Sequence, residues 1–292
     1  MGKQIYINDI GLYLPDKLKE DIDILLDDVM YGEMDLLIII DGKEGSGKSY
    51  DARLLGKYCS YVLKTPFGVN NIHFTADSYI KFSESNPKFT VNIFDESREA
   101  LNKKRGMSKS NVGFTNYLSE NRDKQQVHII LLPAIHDLDS YVAIWRMRLL
   151  IHKLLGHVKD DSMRSGYKLL RGYFKVYENS KTLQQVMYNK AKYGYYAYPK
   201  EFKYKRKIKY TQVLTDTELK EYKDKKAIER RKKYDETQKN NKKNDKLHRL
   251  VYNLNKKQKL SQEEIARNME LSRTVVGNII RDFEDIVTKR QD

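Results

Sequence analysis

The feature that most constrains this chain is an apolar run, Leu36-Leu37-Ile38-Ile39-Ile40, which ends in Asp41 and opens into Gly42-Lys43-Glu44-Gly45-Ser46-Gly47-Lys48-Ser49. A short run of leucine and isoleucine bounded by glycines reads as a strand buried on both faces. Residues 48–64 then follow as a helix, giving the strand, loop, helix order that such a loop requires. Gly42, Gly45 and Gly47 permit backbone conformations that aim successive N–H groups inward, and the helix N-terminus adds partial positive charge. Residues Gly42 to Ser49 are therefore expected to cradle the phosphates of ATP. Lys48 would reach the β- and γ-phosphates, and the Ser49 hydroxyl would ligate the bridging Mg2+. The competing reading is a glycine turn that holds no nucleotide.

A second motif, Val91-Asn92-Ile93-Phe94-Asp95-Glu96, is a strand ending in two carboxylates. It looks like a Walker B motif, in which Asp95 holds the metal through water and Glu96 polarises the attacking water as general base. The alternative is that Asp95 and Glu96 cap a following helix. Hydrolysis also needs positive charge on the γ-phosphoryl oxygens, and Arg122, Arg146 and Arg148 are the candidates for an arginine supplied to an adjacent subunit. Each of the three also fits an ordinary surface or salt-bridge role.

Further strands are expected at 71–74, 89–94, 127–132 and 149–152, alternating with helical stretches at 76–83, 97–102, 111–123 and 138–144. Together with a helix over 16–31, that alternation predicts a parallel sheet with helices on both faces. Residues 167–177 and 183–188 suggest an antiparallel strand pair turning at 178–181. The domain plan that follows is a nucleotide-binding domain at 1–156, a β-hairpin appendage at 157–200, a basic helical linker at 201–244 and a small all-α domain at 245–292.

The formal charge of +15 is concentrated, since residues 201–260 carry +12 of it and residues 261–292 carry −2. Such a basic segment attracts polyanions, nucleic acid first and an anionic membrane surface second, although a solvated lysine-rich helix would look the same. The single cysteine, Cys59, rules out a disulfide framework or a cysteine-rich metal site within one subunit. Met1-Gly2-Lys3-Gln4-Ile5-Tyr6 lacks the apolar core of an export signal, and the longest apolar run is far short of the roughly 20 residues that span a bilayer. A soluble protein is expected, without membrane insertion, in a reducing cytoplasm, that of the host if the chain is viral.

The glycine loop, the Asp95-Glu96 strand, and Glu120-Asn121-Arg122-Asp123-Lys124 leading into His128-Ile129-Ile130-Leu131-Leu132-Pro133 resemble the additional-strand P-loop ATPases. Within that class they are similar to FtsK/HerA-type DNA translocases and the ATP-binding proteins of phages and plasmids. The resemblance covers about residues 33–153. It implies a RecA-like sheet ordered 5-1-4-3-2, a ring-shaped homo-oligomer and DNA as the moved substrate. One departure is Pro133-Ala134-Ile135-His136 where the family has a sensor glutamine.

The C-terminal residues resemble a helix-turn-helix, with Ile265, Ala266, Met269, Leu271, Val275, Val276 and Ile279 facing inward. Ser272, Arg273, Thr274 and Asn278 are expected to meet base edges, and Lys256 and Lys257, with Arg249 and Lys259 nearby, to meet phosphates. Glu270 occupies a turn position often filled by glycine. The competing reading is a three-helix oligomerisation or partner-docking unit. These features together suggest an ATP-hydrolysing DNA translocation or packaging motor of a phage or mobile element. The alternative is an ATP-switched DNA-binding regulator or replication protein.

Overall fold

The computed structural model describes residues 3–7, 10–95, 109–139, 141–178, 198, 202–208 and 212–288. They divide into two compact units, residues 1–224 and 225–292.

The first unit is built outward from the strand β3 (Leu36–Gly42), all seven residues of which are buried. On one side β3 pairs in parallel with β6 (Val127–Leu131), followed by β5 (Val91–Phe94) and β4 (Ile72–His73). On its other side lies β7 (Met147–Lys153), also parallel. These five strands, counted among themselves in chain order, lie 5-1-4-3-2. The whole sheet differs from the five-stranded expectation, because β10 (Tyr173–Glu178) and β11 (Tyr204–Lys207) add antiparallel to β7 and give the order β11-β10-β7-β3-β6-β5-β4.

The extension also corrects the expected hairpin over 167–177 and 183–188. Gly172, at φ +91°, breaks the run. Before it, β9 (Tyr167–Leu170) pairs with β8 (Gly156–Lys159) in a separate two-stranded sheet; after it, β10 joins the main sheet and buries Phe174 and Val176. Residues 183–188 and the helical stretch expected at 97–102 lie outside the described residues.

Alternation along β3 sorts the two cores. Leu36, Ile38 and Ile40 pack with α1 (Asp16–Tyr31) and α2 (Lys48–Leu63), through Leu18, Ile22, Leu26, Leu54 and Leu55. Leu37 and Ile39 pack with Tyr79 of α3 (Ala76–Ser85) and with Phe114 and Tyr117 of α4 (Lys109–Glu120). The sequence did not suggest the N-terminal pair β1 (Lys3–Ile7) and β2 (Ile10–Leu14), whose Leu12 and Leu14 join the first core.

The linker expected at 201–244 is not a separate element. Tyr204, Ile208, Val213, Leu214 and Tyr222 all enter the first core. A single helix, α5 (Asp216–Lys256), then runs 41 residues without a break at 245. Thr215 and Glu218 start it with reciprocal capping bonds, Thr215 N–H to Glu218 at 2.8 Å and Glu218 N–H to the Thr215 hydroxyl at 3.2 Å.

In the second unit, α6 (Gln262–Asn268) and α7 (Arg273–Thr288) close over Val251 of α5, with Ile265, Ala266, Val276, Ile279 and Ile280 buried. Ser261 and Glu264 form a capping box at the start of α6. Val275, expected to face inward, is 43% exposed; the inward stripe of α7 is Val276, Ile279 and Ile280. Glu270 takes the left-handed conformation, φ +53°, that a glycine would adopt without strain.

One polar contact ties β7 to α2, a fully buried ion pair between Lys153 and Asp51. Burial pushes the Asp51 carboxyl up to about 6, against the pull of the Lys153 ammonium. Truncating one partner strands a buried charge, so Lys153→Met should cost about 3–5 kcal/mol, while replacing both partners by apolar residues is close to neutral. Chemical denaturation of Lys153→Met and of Asp51→Leu/Lys153→Met measures the difference; the double variant is expected to recover most of the loss.

Candidate functional site

The glycine loop leaves the C-terminal end of β3 through Gly42, Gly45 and Gly47, all at positive φ (+130°, +76° and +97°). A Cβ on Gly42 would stand 2.5 Å from the Lys153 carbonyl oxygen, so the close approach of β7 requires glycine there. At Gly45 nothing lies within 4 Å of the missing Cβ, and the loop is open on that side. Gly47 caps α2, accepting from Tyr50 and Asp51 N–H at 3.1 Å. Lys43, Glu44 and Gly45 are exposed, Ser46 is buried, and Lys48 and Ser49 are half-buried on the first turn of α2. The Lys48 ammonium lies along the loop, donating to the carbonyls of Gly42 and of Lys43, the latter at 3.1 Å.

Beneath the loop, the fully buried Asp41 carboxylate gathers three segments. It accepts the Ile135 N–H at 2.8 Å and the Tyr198 hydroxyl, and meets His152 Nδ1 at 2.8 Å. The Tyr198 ring lies 3.8 Å from the His152 ring, and burial together with the Asp41 charge drives the Tyr198 hydroxyl above its ordinary range.

Asp95 stands at the same end of the sheet, just past β5. The register aligns Phe94 with Ile130, which pairs with Ile39 of β3. Asp95 is therefore two strand spacings from β3, about 10 Å. It is buried, and its backbone N–H donates to the His73 carbonyl at 2.8 Å. Its carboxylate accepts the Tyr222 hydroxyl at 2.6 Å. Tyr222 belongs to the second turn of α5, and the Arg53 guanidinium of α2 covers its ring at 4.4 Å. Lys57, one helical turn after Arg53, donates to the Val213 carbonyl at 2.9 Å. The start of α5 is thus fastened both to α2 and to Asp95. Sequence reasoning missed Tyr222, one of 22 tyrosines. Its only signal is Leu219 three positions earlier, an apolar pair at helical spacing in a run of charges.

Glu96, the expected base, lies outside the described residues. The three arginines are dispersed. Arg146 is buried, paired with Asp35 and donating to the Leu118 carbonyl at 2.7 Å. Arg148 pairs with Asp28 at 2.7 Å. Arg122 is exposed on a 3-10 turn, Asn121–Lys124. His136 is buried and stacks edge-on against Tyr198 at 5.3 Å.

No protein-family model, curated protein or solved structure matches the chain. The site therefore rests on its own geometry. The residue types present are those a nucleotide and its metal would need: an open glycine loop with a helix N-terminus and Lys48 for phosphates, the Ser49 hydroxyl for Mg2+, and the Asp95 carboxylate for a water bound to that ion. Among the described residues no cluster of three or more His, Cys, Asp or Glu side chains forms a metal site. Among them, too, no helix is long and apolar enough to cross a membrane.

In the second unit, Ser272, Arg273, Thr274 and Asn278 are exposed at the start of α7, as are Lys256 and Lys257. Arg273 pairs with Glu263 at 2.8 Å, and Asn278 accepts from Arg281 at 2.7 Å, both on the surface.

A buried carboxylate deprived of a donor costs about 1–3 kcal/mol. Tyr222→Phe, which keeps the ring under Arg53, should lower unfolding stability by that amount in a urea titration.

Proposed function

We propose that this protein binds and hydrolyses ATP and uses the hydrolysis to move or package DNA. The observation that carries the reading is the juxtaposition at one end of the parallel strands: a glycine loop opening at Gly45, the Lys48 ammonium, and the buried Asp95 carboxylate two strands away. In open α/β sheets that end is where ligands bind. When bound, Mg2+ would supply charge neutralisation on the phosphate oxygens. The loop N–H groups and Lys48 would orient the phosphates, Ser49 and Asp95 would hold the metal, and Glu96 would take the proton of the attacking water. Arg122, exposed and on a short turn, is the best placed of the three arginines to serve a neighbouring subunit of a ring. Releasing Arg146 would strand the buried Asp35. DNA is supported by the basic segment and by the exposed polar start of α7, the recognition position of a helix-turn-helix.

Glu96→Gln should retain ATP binding and lose at least a hundredfold in turnover; wild-type turnover by this variant would remove Glu96 as the base. Long duplex DNA of any sequence should raise wild-type turnover several-fold, measured by phosphate release, and no response to DNA would end the motor reading.

One observation favours a second reading, an ATP-switched DNA-binding protein. Tyr222, which holds Asp95, sits on the helix that continues to Lys256. If Asp95 turns to a metal, the Tyr222 bond is surrendered. In that case DNA affinity should depend on nucleotide in the wild type and much less in Tyr222→Phe, as read by anisotropy titrations with and without a non-hydrolysable ATP analogue.

A further inference from the structure

The outer strands of the sheet place like charges where stability alone would not. In the β10–β11 register Lys175 is the direct cross-strand partner of Lys205. On its other side Lys175 faces His152. Like charges directly opposite one another destabilise a strand pair. Alternation puts Lys207 on the same face, two residues beyond Lys205, with Tyr173 as its partner. Among the described residues no carboxylate forms an ion pair with any of the three lysines. Lys205 and Lys207 are exposed.

The ammonium groups rest on aromatic rings instead. Lys205 and Lys207 lie 5.5 and 5.3 Å from the Tyr173 ring centroid, and Lys175 lies 4.3 Å from that of Phe202, itself 39% exposed. Guarding an edge strand against pairing would account for lysines on β11. It does not account for Lys175, which is on the inner strand, nor for two rings beneath the charges.

We infer that this face of β10 and β11 binds an unpaired nucleic-acid strand. Three ammonium groups in two adjacent rows suit a phosphate backbone, and a lysine drawn to a phosphate uncovers a ring on which a base can stack. A duplex would keep its bases out of reach of Tyr173 and Phe202, so the rings favour the single strand. The inference rests on the proposed association with DNA, and it adds a contact surface on the first unit, separate from the helix-turn-helix.

The test uses the full chain, with fluorescein-labelled dT20, rU20 and a 20-base-pair duplex as probes. Lys175→Gln/Lys205→Gln/Lys207→Gln should weaken dT20 and rU20 at least tenfold in 0.1 M salt. It should also flatten the dependence of log affinity on log salt by about 2, because each lost single-strand phosphate contact removes about 0.7. Tyr173→Ala/Phe202→Ala should weaken the same probes at least fivefold with the salt slope retained. Duplex affinity and ATP binding should stay as in the wild type, and the unfolding midpoint checks that each variant is folded. Unchanged single-strand binding in folded lysine variants would overturn the inference, as would an equal loss of duplex binding or a wild type that ignores dT20 and rU20. Lysine-dependent dT20 binding by a chain without ATP turnover would leave this inference standing while the proposed hydrolysis falls.

Discussion

The Asp41 carboxylate is the interaction on which the site depends. A buried charge is tolerated only when its lone pairs are filled. Here the donors come from three segments far apart in sequence: the Ile135 backbone, His152 of β7 and Tyr198. Asp41 is the residue from which the chain passes into Gly42, so these contacts fix the direction in which the glycine loop departs. The Gly42 N–H adds a bond to the Pro133 carbonyl at 3.2 Å, and the loop thereby starts from the joined ends of β3, β6 and β7. A loop that is to hold charge in place gains from being built on a rigid end of this kind.

The parts of this architecture that were legible in the sequence are those set by neighbours along the chain. Leu18, Ile22, Leu25, Leu26 and Val29 at helical spacing announced α1, and its bounds came out at Asp16–Tyr31 as expected, with all of these but the half-buried Leu25 fully buried. The apolar run and its three glycines announced the loop, which has the positive φ angles that only glycine accepts freely. The parallel α/β class followed from alternation of strand and helix. What failed involved partners chosen in space. Residues 167–177 look like one strand, and only the pairing with β7 shows that Gly172 divides them between two sheets. Residues 201–222 look like the opening of a charged linker, yet apolar positions scattered among them, Tyr204, Ile208, Val213, Leu214 and Tyr222, are taken into the core. Composition averages over such residues, whereas burial depends on each one.

The same limit explains why the buried polar contacts went unseen. Lys153 with Asp51 joins residues 102 apart, and Tyr222 with Asp95 joins residues 127 apart. Nothing local marks either pair. His128 is similar: its Nδ1 meets the Tyr79 hydroxyl at 2.6 Å, and burial pushes its imidazole down to about 4. It is thus a neutral core histidine at neutral pH, although in sequence it stands at the start of the strand that carries the family resemblance.

The Tyr222 contact also bounds what the site can transmit. A hydrogen bond from a hydroxyl to a carboxylate contributes about 1.5–3 kcal/mol. A change at Asp95 that breaks it can shift the docking equilibrium of the start of α5 by roughly ten- to a hundredfold, and no more. The Arg53–Tyr222 stacking, the Lys57–Val213 bond and the burial of Val213 and Leu214 remain when that one bond is lost. The segment around 213–222 is therefore held by contacts besides the Tyr222–Asp95 bond. A signal leaving Asp95 would loosen the first turns of α5 without freeing the chain that precedes it, which suits a graded bias on the helix better than wholesale release.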